Sequence, residues 1–388
     1  MIYRDYKGDR LSMMGFGAMR LPVIDGNDGK VDVPKAEALV DEAYRSGINY
    51  FDTAWGYHMG TSETVMGEAL SRYPRDSYRL STKFPGYDLS NFGKHEEIFA
   101  KQLEKCKVDY FDFYFLHNVC ELNIDRYMDE EKYHTVSFFR RMKAEGKIKH
   151  LGFSCHGSLE VLKRFLEKYG EFMEFGMIQM NYLDYNFQGA KGKLDLLNSY
   201  RIPVWVMEPL RGGMLAKMAP ADLERMRKTR PGIEPVELAF RFLQSLPGVT
   251  VILSGMTEME QMREKLRIFE KDEPLSKEET DALLDIAKGL INGKIAPCTA
   301  CKYCLSHCPK ELNIPVLLEK YNEDALTGGG FIAPFAIKAL PPEKRPSACI
   351  GCKSCEKVCP QQIRISEILK AFGSKMDSML EAFFGKEA

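Results

Sequence analysis

Two runs of cysteine carry the most specific chemistry in this chain. CTACKYCLSHCP (298–309) and CIGCKSCEKVCP (349–360) both read C-x2-C-x2-C-x3-C-P. In such runs three closely spaced thiolates wrap one cubane iron–sulfur cluster. The fourth, followed by proline, reaches the other cluster of a pair. The ligand sets are then Cys298, Cys301, Cys304 and Cys359 for one [4Fe–4S] cluster, and Cys349, Cys352, Cys355 and Cys308 for the second. Zinc sites use separated cysteine pairs or Cys/His mixtures, which these runs do not match. Two crossed clusters point to electron transfer, with a purely structural role as the blander reading.

A second set of reactive residues lies upstream. Asp52 and Tyr57 fall in FDTAWGY, Lys83 in STKF and His117 in FYFLHN. Singly, each is ordinary in a chain with 18 tyrosines and many lysines. Their placement is what matters. Asp52, Lys83 and His117 each end a β-rich run, and Tyr57 follows one closely.

The elements that must position them form a repeating pattern. MGFGAM, INYFDTA, SYRLSTKF, FDFYFLHN, HLGFSC, FGMIQMN, IPVWVME and VTVILSG are β-rich. Each is followed by a helical pattern such as TSETVMGEALSRY or SLEVLKRFLEKY. Eight βα units over residues 11 to about 271 predict an α/β fold, a (β/α)8 TIM barrel, whose chemistry sits at the C-terminal ends of the strands. The charged stretch 271–294 predicts a connecting helix. Beyond it, Cys, Pro and Lys dominate, with a helix over NIPVLLEKYNEDAL broken by TGGG. The expected division is a barrel at 1–275, then a linker helix with a small, mainly helical 4Fe–4S ferredoxin-type module at 276–388. The tail places Ile368, Leu369, Phe372, Met376, Met379, Leu380 and Phe383 on one helical face, for packing within that module.

Composition narrows the function. A chain of 388 residues with 45% apolar content can bury a barrel core and a smaller module. A net charge of −1 with no basic run argues against nucleic acid as a partner. No apolar run spans a membrane, and the polar start MIYRDYKGDR lacks a signal region, so a cytoplasmic location is expected. There the cysteines read as ligands rather than disulfides. Cys106, Cys120 and Cys155 lie outside both runs and read as small apolar residues.

The motifs GFGAMRLP, FDTAWGY, TKF, LH, GFS, QMNY and EPLRGG together resemble the aldo-keto reductases, over about residues 1 to 271. The resemblance implies a catalytic tetrad of Asp52, Tyr57, Lys83 and His117, acting on a small-molecule carbonyl with NADP(H) or NAD(H). A hydride delivered to a carbonyl leaves an alkoxide that needs a proton, and Tyr57 is the implied general acid. A free phenol has a pKa of about 10, and a nearby ammonium lowers it. Lys83 would supply the ammonium, Asp52 would hold it charged, and His117 would orient the carbonyl. The resemblance also implies cofactor contacts. Ser154 and Gln179 hold the carboxamide, and Gly17 and Met19 lie beside the cofactor. Pro209, Leu210 and Gly212 cross the phosphates, while Gly255, Thr257, Gln261 and Glu264 grip the adenosine end.

The sequence departs from that family at Cys155, where an Asn is usual, and at Met207 and Glu208, where an aromatic and a small polar residue are usual. The usual Lys–Ser pair for a 2′-phosphate is absent, leaving Arg211, Lys217 and Arg263 as candidates and the choice of NADP or NAD open. His156 either closes a loop hydrogen bond or faces substrate.

Nicotinamides move electron pairs and clusters move single electrons, so a flavin such as FMN is the reagent that would join the halves. Three functions follow. One is an NAD(P)H-dependent carbonyl reductase with an auxiliary cluster module. The second is a flavin- or ferredoxin-coupled enzyme in which clusters exchange electrons with the barrel and an external ferredoxin. The third is an electron carrier whose barrel only docks partners.

Overall fold

The structure, a computed structural model, describes residues 1–291, 295, 296, 298, 304–327, 329–359 and 361–385. Two compact units divide the chain: Met1–Val119 with Asn123–Ile286, and Cys120–Leu122 with Ala287–Ala388.

All eight predicted β runs form strands in the first unit. They are β3 (Met14–Gly17), β4 (Tyr50–Asp52), β5 (Arg79–Phe84), β6 (Phe111–Val119), β7 (Ile148–Cys155), β8 (Gly176–Gln179), β9 (Val204–Met207) and β10 (Val249–Ser254). They pair in parallel and close as β10-β3-β4-β5-β6-β7-β8-β9. The register sets Gly17 opposite Asp52 and Asp52 opposite Ser81. Strands covered on both faces read as near-continuous apolar runs, as FDFYFL in β6 does. Inside, the barrel is packed by Tyr50, Phe113, Phe115, Phe175, Met177 and Trp205.

The sequence reading missed a hairpin, β1 (Tyr3–Tyr6) and β2 (Asp9–Ser12), because its strands look polar. Its signal was Lys7-Gly8. Both residues are left-handed, with φ of 46° and 88°, as a two-residue hairpin turn requires. The buried Tyr6 ring packs on Phe113 and Trp205, and its hydroxyl donates to Glu174 O at 3.1 Å. The hairpin therefore closes the end where the strands begin and leaves the opposite mouth for the site.

Glu174 is the hub of that closure. Its carboxylate takes Lys143 Nζ and, at 3.1 Å, His150 Nδ1. Burial pushes Glu174 up, but these partners prevail and hold it at about 2. A carboxylate depressed in the folded state stabilises the protein above its unfolded pKa, and that stability is lost as pH falls through the folded value. Glu174→Gln should therefore lower the melting temperature at pH 7, and the gap from wild type should close between pH 4.5 and 2. A constant gap in acid melts would contradict the hub.

The expected linker helix forms over Lys277–Ile291. In the second unit, helices Ile314–Thr327, Ile332–Lys338 and Ile365–Phe384 enclose an apolar core that includes Leu317, Leu318, Ile337 and Leu369. The tail helix buries Leu369, Phe372, Met376 and Leu380, whereas Phe383 is 54% exposed. A Cβ on Gly373 would lie 2.7 Å from Ser347 N, so only glycine lets this helix pass there. Among the described residues no helix is long and apolar enough to cross a membrane.

Candidate active site

Asp52, Lys83 and His117 reach the barrel mouth from the ends of β4, β5 and β6. Lys83 Nζ donates to Asp52 Oδ2 at 2.6 Å and to Thr53 O at 2.7 Å. Ser81 Oγ donates to Asp52 Oδ1 at 2.7 Å. Burial pushes Asp52 up and Lys83 down, while their ion pair pulls each the other way. A buried pair of this kind is kept for what it positions, since its desolvation cancels much of its attraction.

Tyr57 follows β4 in a tight turn, where His58 and Met59 are left-handed. His58, unnoticed in the sequence, secures that turn. Its Nε2 accepts from Leu21 N at 3.1 Å, so its proton sits on Nδ1, 3.0 Å from Asp28 Oδ1. Lys83 Nζ lies 5.1 Å from the Tyr57 ring centroid. Among the described residues no hydrogen bond joins it to the Tyr57 hydroxyl. Tyr57 differs from the sequence expectation here. Burial raises it well above the usual phenol value, and the Asp52 and Glu208 carboxylates raise it further. The phenol thus keeps its proton at neutral pH.

His117 faces Tyr57 edge-on at 6.4 Å and Tyr87 at 5.5 Å. Burial, aided by the charge of Lys83, holds it well below the ordinary imidazole range. Its Nδ1 is buried without a partner, which leaves Nε2 to meet a ligand. A bare lone pair is less costly to bury than an unpaired N–H, so the proton belongs on Nε2 and His117 acts as a neutral donor. Tyr87 was also missed. Its hydroxyl lies 2.2 Å from where a Cβ on Gly56 would sit, so that glycine admits the third ring.

A second layer fixes Lys83. Gln102 Nε2 donates to Lys83 O at 2.9 Å and to Glu63 Oε1 at 2.8 Å. Thr82 Oγ1 donates to the same Glu63 oxygen at 2.6 Å. Glu63, Thr82 and Gln102 are wholly buried, so β5 has little freedom to slide.

The cofactor candidates surround this mouth. Ser154, next to last in β7, accepts at Oγ from Asn118 N at 2.9 Å. Asn118 Oδ1 is buried without a partner, which fits a ligand amide bringing a donor beside the Ser154 hydroxyl. Gln179 ends β8 and donates to Asp184 Oδ2 at 2.9 Å. Gly17 ends β3, and Met19 is exposed just beyond it. Pro209, Leu210 and Gly212 follow β9, and Gly255 follows β10. Thr257 N donates to Gln261 Oε1 at 3.0 Å, closing the last loop, with Glu264 one turn further along the helix Met259–Ile268.

Arg211 is turned inward, buried against Asp184. Cys155, at the departure from Asn, is buried with Sγ 3.9 Å from Gly157 O. His156 and Gly157 both donate backbone N–H to Val119 O at 3.1 Å. Burial and the charges of Lys193 and Lys83 hold the His156 ring at about 3.

In the second unit Cys308, Cys349, Cys352 and Cys355 line one pocket. This joins the last cysteine of the first run to the first three of the second. Cys355 is pushed up to about 11 by burial and by neighbours that include Glu356, Cys349 and Cys308. Leu312 N donates to Cys308 Sγ at 3.4 Å, so a backbone amide is aimed at that sulfur. Among the described residues no three His, Cys, Asp or Glu side chains converge on a single-ion site. A cubane offers a separate iron to each thiolate, so its ligands need not converge. Cys298, Cys304 and Cys359 pack on the same core. Asn322 helps place that loop, exchanging hydrogen bonds of 2.7 and 2.9 Å with Ala296. Cys301 lies outside the described residues.

Residues 13–288 match the aldo/keto reductase family, and residues 297–364 match a 4Fe–4S dicluster domain. The chain belongs to the aldo/keto reductase family, as an oxidoreductase carrying a C-terminal 4Fe–4S dicluster domain. It is 26% identical over 321 residues to the NADH-specific methylglyoxal reductase of Escherichia coli (strain K12), covering 70% of this chain and 96% of that one. It is 25% identical over 307 residues to L-galactose dehydrogenase of Arabidopsis thaliana, covering 73% and 93%. In fold it resembles the aldo-keto reductase AKR11C1 from Bacillus halodurans (holo form), with a TM-score of 0.58 and 24% identity, covering 74% of this chain and 96% of that one.

Proposed function

We propose that the barrel reduces a small carbonyl compound with hydride from NADPH or NADH, and that Tyr57 delivers the proton. The observation that carries this reading is the meeting of Asp52, Tyr57, Lys83 and His117 at one mouth, with the Lys83–Asp52 pair buried behind the phenol. The nicotinamide, when bound, supplies the hydride. His117 Nε2–H orients the carbonyl oxygen, and Tyr57 protonates that oxygen as negative charge develops on it. Lys83, fixed by Asp52 and Thr53 O, places positive charge beside the phenolate that remains. Ser154, Gln179, Gly17 and Met19 hold the nicotinamide end. Pro209, Leu210 and Gly212 hold the diphosphate, and Gly255, Thr257, Gln261 and Glu264 hold the adenosine end. The two relatives, a methylglyoxal reductase and an L-galactose dehydrogenase, support a small polar substrate.

The barrel domain runs over 1–275. The linker helix and cluster module occupy 276–388, with two [4Fe–4S] clusters on the eight motif cysteines exchanging single electrons with an external ferredoxin. The test is an anaerobic absorbance titration of cluster-replete protein with NADPH and then NADH, with iron and flavin assayed on the same sample. Nucleotide binding without cluster bleaching, together with nicotinamide oxidation matching carbonyl consumed, is the expected result. Bleaching that depends on extractable flavin would replace this reading with the coupled one.

A further inference from the structure

The residue after β9 is built in an unusual way. Glu208 has a φ of 57°, a left-handed conformation that is costly for any residue with a Cβ and persists only where the surroundings enforce it. The enforcing group is Asn181, wholly buried, whose Nδ2 donates to Glu208 O at 3.0 Å. Asn181 is itself locked by Leu183 N, Asp184 N and the Asp184 carboxylate. Glycine or asparagine would adopt this conformation at less cost, so the side chain is the reason for glutamate.

That side chain turns back onto its own loop. Glu208 Oε2 accepts from Gly212 N at 2.6 Å. Arg211, Gly212 and Gly213 all have positive φ, so the loop coils tightly around this bond. Arg20 approaches from the turn after β3, one strand away across β10. Its stem rests on Gly255, where a Cβ would fall 2.6 Å from Arg20 Cγ. From the point where a Cβ on Gly212 would sit, Arg20 Nη2 is 3.8 Å away and Glu208 Oε2 is 4.0 Å away. Arg20 makes no hydrogen bond or ion pair with any described residue. Two other cations at these loops are committed, Arg211 to Asp184 and Lys265 Nζ to Gly255 O at 3.2 Å.

We propose that Glu208 is a built-in anion at the diphosphate end of the mouth, which a dinucleotide must displace from Gly212 N–H, and that Arg20 is the cation that then meets the diphosphate. This rests on the dinucleotide reading above and gives roles to two residues to which that reading assigns none. A charge-assisted bond to a backbone N–H is among the stronger hydrogen bonds, and a carboxylate left beside a diphosphate repels it. The affinity the loop could offer is therefore partly spent before the ligand arrives. Glu208 also raises Tyr57, so its displacement on binding would alter the proton donor too.

The test is calorimetric titration of the full cluster-replete chain with ADP-ribose, which has the diphosphate and no nicotinamide, and with adenosine, which has neither. Glu208→Gln should tighten ADP-ribose about tenfold and Arg20→Met should weaken it about tenfold, with adenosine little changed. ADP-ribose affinity unchanged or weaker in Glu208→Gln overturns the proposal while leaving the dinucleotide reading intact. So does equal tightening for adenosine. If neither wild type nor Glu208→Gln binds ADP-ribose or NAD(P)H, the dinucleotide reading fails and the proposal fails with it.

Discussion

Tyr57→Phe will cut carbonyl turnover by about 10²- to 10⁴-fold while nucleotide binding stays nearly normal, because a positioned proton donor is worth about that much. The ring of Phe keeps the edge-on packing against His117, so only the proton is lost. Burial keeps Tyr57 protonated well past neutral pH, so the wild-type rate should be flat through neutrality and fall only on the alkaline side. Lys83→Met should be about as damaging, but it also strands the Asp52 carboxylate in the core, at a cost of about 3–5 kcal/mol. The double variant Asp52→Asn/Lys83→Met separates the two effects: it should recover stability and not activity. Turnover at the wild-type rate in Tyr57→Phe would remove Tyr57 from the acid role.

The second large effect concerns iron. Cys308→Ser should lower bound iron from about eight to about four atoms per chain, one cubane of two. Cys352→Ser should do the same. If both serve one cluster, as the shared pocket suggests, the double variant loses no more iron than either alone. Cys304→Ser combined with Cys308→Ser should lose both clusters. Cluster loss should also loosen the second unit, since Cys304 and Cys355 are part of its core and metal binding is coupled to folding. Additive iron loss in the Cys308/Cys352 pair would mean that the crossover assignment is wrong.

The strands, and the meeting of Asp52, Tyr57, Lys83 and His117 at one mouth, were legible because each depends on a local pattern: apolar runs eight times over, and reactive residues at or just beyond their ends. The tail helix was legible for the same reason, apart from Phe383, which lies in the last turn, half exposed, with its ring against Phe384. The hairpin was hidden because its strands carry charge outward, and only Lys7-Gly8 marked the turn. His58, Glu63 and Tyr87 were hidden for another reason. Each acts through partners distant in sequence, Leu21, Gln102 and Gly56 respectively, and no spacing rule announces such contacts. Tyr57 shows the limit of local chemistry. The neighbouring lysine was readable, but the burial that outweighs it was not. Glu208 was visible as a departure, yet its bond to Gly212 depends on a backbone conformation that sequence does not display.

The placement of the two tryptophans has a practical use. Trp205 is sealed in the barrel among Tyr6, Phe113 and Phe175, while Trp55, in the turn that leads from Asp52 to Tyr57, is half-buried with Lys105 Nζ 4.6 Å from its ring. Intrinsic fluorescence therefore comes from two distinct depths. Excited at the tryptophan band, a Trp55→Phe variant reports from the barrel interior and follows unfolding, and Trp205→Phe reports from the turn that carries Tyr57. The chain thus carries separate optical gauges of the barrel interior and of the turn beside the site, and neither requires an added dye.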